Sequence, residues 1–237
     1  MEVWRGRGKG RGGRGKGGGG KGGGGKGDDD MVRISKRMSA VLRHNIEKCG
    51  LSDCLRPDGY VPLARLLSIS GFERVTEAMI EEVVRENSKQ RFALIEEAGV
   101  KYIRANQGHS IVSGLDDEMM LELLDPHSAP TVIHGTTRDC WQKIMESGGL
   151  SRMGRRHIHF ATGLPENDGV ISGMRHSAQV HIYVDVVKAV AAGVVFYRSA
   201  NGVILTAGEG GSGMLSLRFL AKVVDAATKL ELPLPPE

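Results

Sequence analysis

Four short strings in this chain carry residue types that can do chemistry together. The first, Arg43-His44, closes a run in which Ile34, Met38, Val41, Leu42 and Ile46 recur at helical spacing. Consecutive helix positions lie about 100° apart, so the pair can flank one anion while neither falls fully on the apolar stripe. Taken alone, an Arg-His pair reads more readily as a solvated helix face. The second string is split: Lys89-Gln-Arg91-Phe92 opens a strand, and Arg104-Ala-Asn106-Gln107-Gly-His109-Ser110 closes its partner. A glycine in such a strand end lets backbone approach a ligand closely, and a plain hairpin loop explains the string about as well. The third, His134-Gly135-Thr136, leaves a strand and enters a helix, with two hydrogen-bonding side chains around a bare position. The fourth is the richest: Gly148-Gly149-Leu150-Ser-Arg-Met153-Gly-Arg155-Arg156-His157-Ile-His159-Phe160. Alternation on a strand puts His157 and His159 on one side. No acidic or Cys partner stands near them in sequence, so a metal site is not expected. Two guanidinium forks beside two imidazoles suit a phosphorylated ligand better.

These strings need elements to hold them. The first helix is expected to run to Gly50 as its stop. A turn at Pro57-Asp-Gly59 follows, then a short helix opened by Pro62 and another capped by Thr76. Arg91–Ile95 and Val100–Arg104 read as two strands joined by a Glu-Glu-Ala-Gly turn. Three helices and a hairpin is the order of a winged helix. Residues 108–129 look like a connection. Beyond it come strands at 132–134, 158–160, 180–184, 194–197, 203–205 and 217–224, with one helix near 138–146 capped by Thr137. Asn201-Gly202 signals a hairpin, and the Pro-rich end from Leu232 is expected to fray.

Charge separates a tail from the body. Residues 1–27 hold eight Lys/Arg against Glu2, a net +7, while the remaining residues sum to −3. Fifteen of the first 30 residues are glycine, too costly in backbone entropy to fold, so disorder is expected there. Such an arm either solubilises the chain or neutralises nucleic-acid phosphates, and composition does not choose between the two. No stretch approaches the roughly 18 apolar residues of a membrane span. The N-terminus lacks the apolar core of a secretory signal. Three cysteines without a C-x-x-C do not make a disulfide or zinc scaffold. A soluble protein of the reducing intracellular compartments is expected.

Taken in order, the strings resemble the tRNA 2′-phosphotransferase family. The matching residues are Leu42-Arg43-His44, Asp58-Gly-Tyr-Val61, Gln90-Arg91-Phe92, Ile103-Arg104-Ala-Asn-Gln-Gly-His-Ser110, His134-Gly-Thr136 and the segment from Gly149 to His159. They span roughly residues 33–225 in the family's order, and the glycine tail lies outside the pattern.

The resemblance implies an α+β fold. Behind a disordered tail (1–30) would come a winged-helix RNA-binding lobe (31–125) and a β-rich, ADP-ribosyltransferase-like NAD lobe (126–230). It implies an enzyme that removes the internal 2′-phosphate left at a tRNA splice junction. The phosphate attacks the nicotinamide ribose of NAD+ and expels nicotinamide. The ribose O2″ then attacks the phosphorus, giving 2′-hydroxyl tRNA and ADP-ribose 1″,2″-cyclic phosphate. The family's essential quartet falls on Arg43, His44, Arg91 and Arg155. Arg155 is chosen over Arg156 because it stands two before His157. The resemblance places NAD+ on His134, Gly135, Thr136, Gly149, Leu150, Met153 and His157, and RNA on Arg104, Asn106, Gln107 and His109. It implies no metal, no membrane, a monomer, and residence in nucleus or cytoplasm. Two alternatives are an ADP-ribosyltransferase acting on terminal phosphates or proteins, and a non-catalytic RNA-binding module.

Overall fold

The computed structural model describes residues 26–111, 113–129, 131–164, 173–175 and 177–234. Its N-terminal half opens with α1 (Lys26–His44), followed by β1 (Val61–Pro62), α2 (Leu63–Leu67) and α3 (Glu77–Arg85). Strands β2 (Phe92–Glu97) and β3 (Val100–Ala105) complete it. The three strands form an antiparallel sheet in the order β1-β3-β2. Ala98 and Gly99, both at positive φ, make the two-residue turn between β2 and β3, the geometry that matches strand twist. Ile34, Met38, Val41 and Leu42 of α1 are buried against Leu63, Leu66, Ile80, Val83 and Ile103, so the helical stripe read from spacing faces one core. Thr76 caps α3 by accepting the Met79 amide.

Two boundaries differ from expectation. The helix begins at Lys26, so the expected disordered tail overlaps its first turn; the remainder, residues 1–25, lies outside the described residues. Asp29 and Asp30 sit where the helix dipole favours negative charge, and Asp30 pairs with Arg33 at 2.9 Å. At the other end α1 stops at His44, six residues before Gly50. The Asn45 side chain takes the Ala40 carbonyl and the Ser110 amide takes that of Arg43, at 2.8 Å each. Gly50, at φ +66°, closes the following turn instead.

The C-terminal half contains α4 (Asp117–Met120), β4 (Glu122–Leu123), β5 (Ile133–Thr136), α5 (Arg138–Ser147), β6 (Gly149–Ser151) and β7 (Ile158–Phe160). It continues with β8 (Val180–Val184), α6 (Val186–Ala191), β9 (Tyr197–Arg198), β10 (Ile204–Thr206), β11 (Met214–Ser216), β12 (Leu220–Asp225) and β13 (Glu231–Leu232). Two four-stranded antiparallel sheets, β4-β9-β10-β7 and β13-β12-β8-β5, are joined where Ile133 bridges Ala161, and β11 pairs with β6 alongside. Phe160, Phe196, Phe219, Ile182 and Val223 fill the second core, each worth roughly 1.5–3 kcal/mol of burial. Thr137 caps α5 as expected. The Pro-rich end is less frayed than its composition suggests. Leu232 pairs with Val223, and Leu232 and Leu234 pack on the core, while 235–237 lie outside the described residues.

The whole is a mixed α and β structure with antiparallel sheets. Among the described residues no helix is long and apolar enough to cross a membrane. What matters for the site is how the halves meet. Ser110 forms an isolated antiparallel bridge with Arg155, and the Arg156 amide donates to the His109 carbonyl at 3.0 Å. The expected connection is therefore itself part of the junction.

Candidate functional site

Arg43 and His44 reach the junction from the last turn of α1. Ser110 holds them there: its amide bonds the Arg43 carbonyl, and its hydroxyl lies 2.9 Å from His44 Nδ1. Gly108, at φ +88°, lays bare backbone against the Arg43 guanidinium; a Cβ there would sit 3.4 Å from Nη1. The glycine expected to admit a ligand thus admits a catalytic candidate of the same chain.

Arg91 arrives from a constrained turn. The Asn87 side-chain oxygen accepts from the Arg91 amide (3.4 Å) and from Nη1 (3.3 Å). Gln90, at φ +43°, is held by Asn106, whose Nδ2 donates to the Gln90 carbonyl at 2.7 Å. Arg155 comes from the other half, at its bridge with Ser110.

These side chains lie within electrostatic reach of one another. Burial lowers the Arg43 pKa to about 10, and the charges of Arg91 and Arg155 push the same way. His44 is also lowered, by burial first and then by Arg155 and Arg43. Arg43 remains a cation at neutral pH, and its Nε and Nη2 are buried with no partner. None of the four is ion-paired with a carboxylate among the described residues. Crowded cations with free donors can hold an anion.

Two neutral histidines border the cluster, and a third, His134, is bonded to one of them. His109 and His159 are each lowered to about 3, mainly by burial, with Arg43 among the cations that add to it. The Nε2 atoms of both are buried without a partner. His134 Nδ1 lies 2.9 Å from the His159 carbonyl, which can only accept. That assigns the proton to Nδ1 and leaves Nε2 as an acceptor.

Other expected site residues have packing or bonding partners of their own. A Cβ on Gly149 would collide with the Leu215 carbonyl oxygen, so its bareness serves the β6–β11 pairing; Leu150 is buried in the core. Gly135 is faced by Met174 of the same chain, whose Cγ occupies the space a Cβ would need. Met153 is 80% exposed on a turn at φ +55°. Arg104 stacks on Tyr60 and donates to the Asp58 carbonyl. Asn106 and Gln107 are buried.

His157 has a partner that its sequence neighbours do not supply. Sequence neighbours offered His157 no acidic partner, but Asp117 supplies one from α4, its Oδ2 lying 2.9 Å from His157 Nε2. Its Oδ1 accepts from Arg156 Nη2 at 2.9 Å and Nε at 3.2 Å. This carboxylate ties down Arg156 and His157, the residues flanking the approach of Arg155 to the cluster. No spacing rule in the sequence links it to them. Glu209, the acid of the glycine-rich stretch, is committed to the Ser216 amide and to Arg218.

Comparison with known proteins adds an independent line. A Mus musculus protein named tRNA 2′-phosphotransferase 1 is 42% identical over 194 residues, 81% of this chain and 76% of its own. The tRNA 2′-phosphotransferase of Saccharomyces cerevisiae is 37% identical, over 81% of this chain and 83% of its own length. A Schizosaccharomyces pombe relative is 45% identical over 82% of this chain, and the chain spans about half (52%) of that relative's length. The sequence profile of the RNA 2′-phosphotransferase, Tpt1/KptA family matches residues 29–208. That stretch contains Arg43, His44, Arg91 and Arg155, and the chain belongs to this family.

Proposed function

We propose that the chain removes an internal 2′-phosphate from RNA, with tRNA as the natural substrate and NAD+ as the acceptor. The observation that carries this reading is the buried Arg43 guanidinium, flanked by two more arginines, with two donors unspent and no carboxylate paired to the group. A 2′-phosphate brings up to two negative charges and several acceptor oxygens. Arg43, Arg91 and Arg155 would clamp them, and planar forks do so better than ammonium groups. His44 sits beside them, held by the Ser110 hydroxyl, in place to give a proton to or take one from a phosphate oxygen.

The residues present suit the acceptor. His159 Nε2 is a buried polar atom lacking a partner, and His134 Nε2 is left as an acceptor; with Thr136 they would hold NAD+ next to the cluster. When bound, NAD+ supplies an electrophilic ribose carbon and nicotinamide as the leaving group. The protein's part is to position the phosphate and spread the charge that shifts as bonds change. A phosphate is already a nucleophile, so a site of cations and neutral imidazoles without a strong base is adequate.

This reading divides the chain into a winged-helix RNA lobe opened by α1 (26–125), an ADP-ribosyltransferase-like lobe (126–230) and an RNA-attracting tail before Lys26. The helix order with its β2–β3 hairpin supports the first, and the two joined sheets support the second. The test is a short RNA with one internal 2′-phosphate. Conversion to the 2′-hydroxyl should require NAD+ and release one nicotinamide per phosphate. Conversion without NAD+, or nicotinamide release from NAD+ with a 5′-phosphorylated RNA but not with the 2′-phosphorylated one, would overturn it.

A further inference from the structure

Asn201 reads in sequence as a hairpin turn residue, yet the structure buries it to 1% exposure. Buried amides must have partners, and both ends of this one do. The Ser199 hydroxyl, 2.8 Å from Asn201 Oδ1 and 3.1 Å from the Val203 carbonyl, has the Asn201 oxygen as its nearer acceptor and itself accepts the Val203 amide at 3.1 Å. That leaves Nδ2 as the donor to the Lys89 carbonyl, 2.9 Å away in the other half of the molecule. Lys89 stands two residues before Arg91, inside the turn whose Gln90 has positive φ. The same turn is gripped by Asn106 at the Gln90 carbonyl and by Asn87 at Arg91. Those two grips come from the N-terminal half. Asn201 reaches Arg91's turn from the half carrying Arg155.

We propose that Asn201 is a positioning residue that sets Arg91 against Arg155 across the junction. The logic is geometric. The anion site is assembled from both halves, and each half must be registered on the other to within a fraction of an ångström for a clamp of guanidinium groups to act together. Arg155 is registered by its bridge with Ser110, beside Arg43 and His44. Arg91 has no such bridge among the described residues. Its registration runs through Lys89 and Asn201, with Ser199 fixing which end of the amide faces the carbonyl.

The inference rests on the site reading above, and its test separates the two. Asn201→Asp keeps the shape and the bond from Ser199, but turns an acceptor toward the Lys89 carbonyl where a donor stood. In single-turnover assays on the 2′-phosphorylated RNA with saturating NAD+, the rate should fall about tenfold to a hundredfold, with the concentration for half-saturation by RNA shifting less than about threefold. In an Arg91→Lys background, already slowed, the same change should cost almost nothing further, because the group being positioned is no longer a planar fork. A purely structural Asn201 would slow both backgrounds by the same factor, and that result overturns the inference. So would a folded Asn201→Asp variant with the full rate. If Asn201→Asp does not fold, as judged by its melting transition, Ser199→Ala frees the amide to rotate and enters the same cycle with the same criterion. An Arg91→Lys enzyme that keeps the full rate would overturn the site reading and this inference with it.

Discussion

Gly108 offers a test in which steric cause and backbone cause can be separated. Its φ of +88° is a conformation that L side chains rarely adopt, and Gly99 at φ +78° has the same difficulty in the turn between β2 and β3. Their surroundings differ. A Cβ at Gly99 meets nothing within 4 Å, whereas at Gly108 it meets Arg43 Nη1 at 3.4 Å and Cδ and Cζ at 3.5 Å. Alanine therefore fits at both, in ordinary contact at Gly108, and costs about 1–2 kcal/mol of backbone strain at each. At roughly 2–4 °C per kcal/mol for a chain of this size, both alanine variants should melt about 2–8 °C lower. Below that transition both should turn over 2′-phosphorylated RNA within a few-fold of the parent. Valine separates the sites, because its branch at Cβ crowds the Arg43 guanidinium. A displacement of about 1 Å in a group that clamps the reacting phosphate costs on the order of a hundredfold in rate. Gly108→Val should lose that much and Gly99→Val should not, although both are strained. The assay pairs a thermal melt with single-turnover loss of 2′-phosphate at a temperature where all four variants are folded. Equal rates for the two valine variants would show that Gly108 does not govern Arg43, and would refute the reasoning.

Other expectations follow from the same geometry. Arg155→Ala should cost roughly a hundredfold to a thousandfold in rate with little change in melting. Arg156→Ala instead strips the Asp117 clamp and should lower the melting temperature more than the rate measured well below it; reversed effects would move the motif by one residue. Acid should destabilise the fold through His109 and His159. Their folded values near 3 lie below the ordinary 6.5, so the unfolded chain takes up protons first, and stability held above pH 6.5 is lost as pH falls toward 3. A melting temperature that stays flat from pH 7 to pH 4 would contradict this. Removing residues 1–25 should flatten the salt dependence of RNA binding by up to about 0.9 for each phosphate the tail had neutralised, and an unchanged slope would leave the tail no electrostatic role.

The parts of this molecule that are legible in sequence are those whose cause is local. The stripe of Ile34, Met38, Val41 and Leu42 announces a helix because one core lies along one side of it. Thr76 and Thr137 announce caps because their partners stand three residues away. The motif residues are legible too, as chemistry without an arrangement. What the sequence hides is long-range and electrically quiet. Asp117 grips His157 from 40 positions away, and Asn201 grips the Lys89 carbonyl from 112. A backbone carbonyl has no sequence signature, so an asparagine that serves one looks like a turn residue. Gly149 and Leu150 carry a second demand that the letters do not show, for one lies against the Leu215 backbone and the other is buried in the core. The cations of the cluster repel one another, and that repulsion adds to burial in lowering the Arg43 pKa. Nothing in the cluster holds it together before an anion arrives. The junction must do so, and it uses neutral or paired groups: Ser110, the backbone of Gly108, Asn87, Asn106, Asn201 and the Asp117 clamp. Charge that must be spent on a substrate cannot also be spent on the fold.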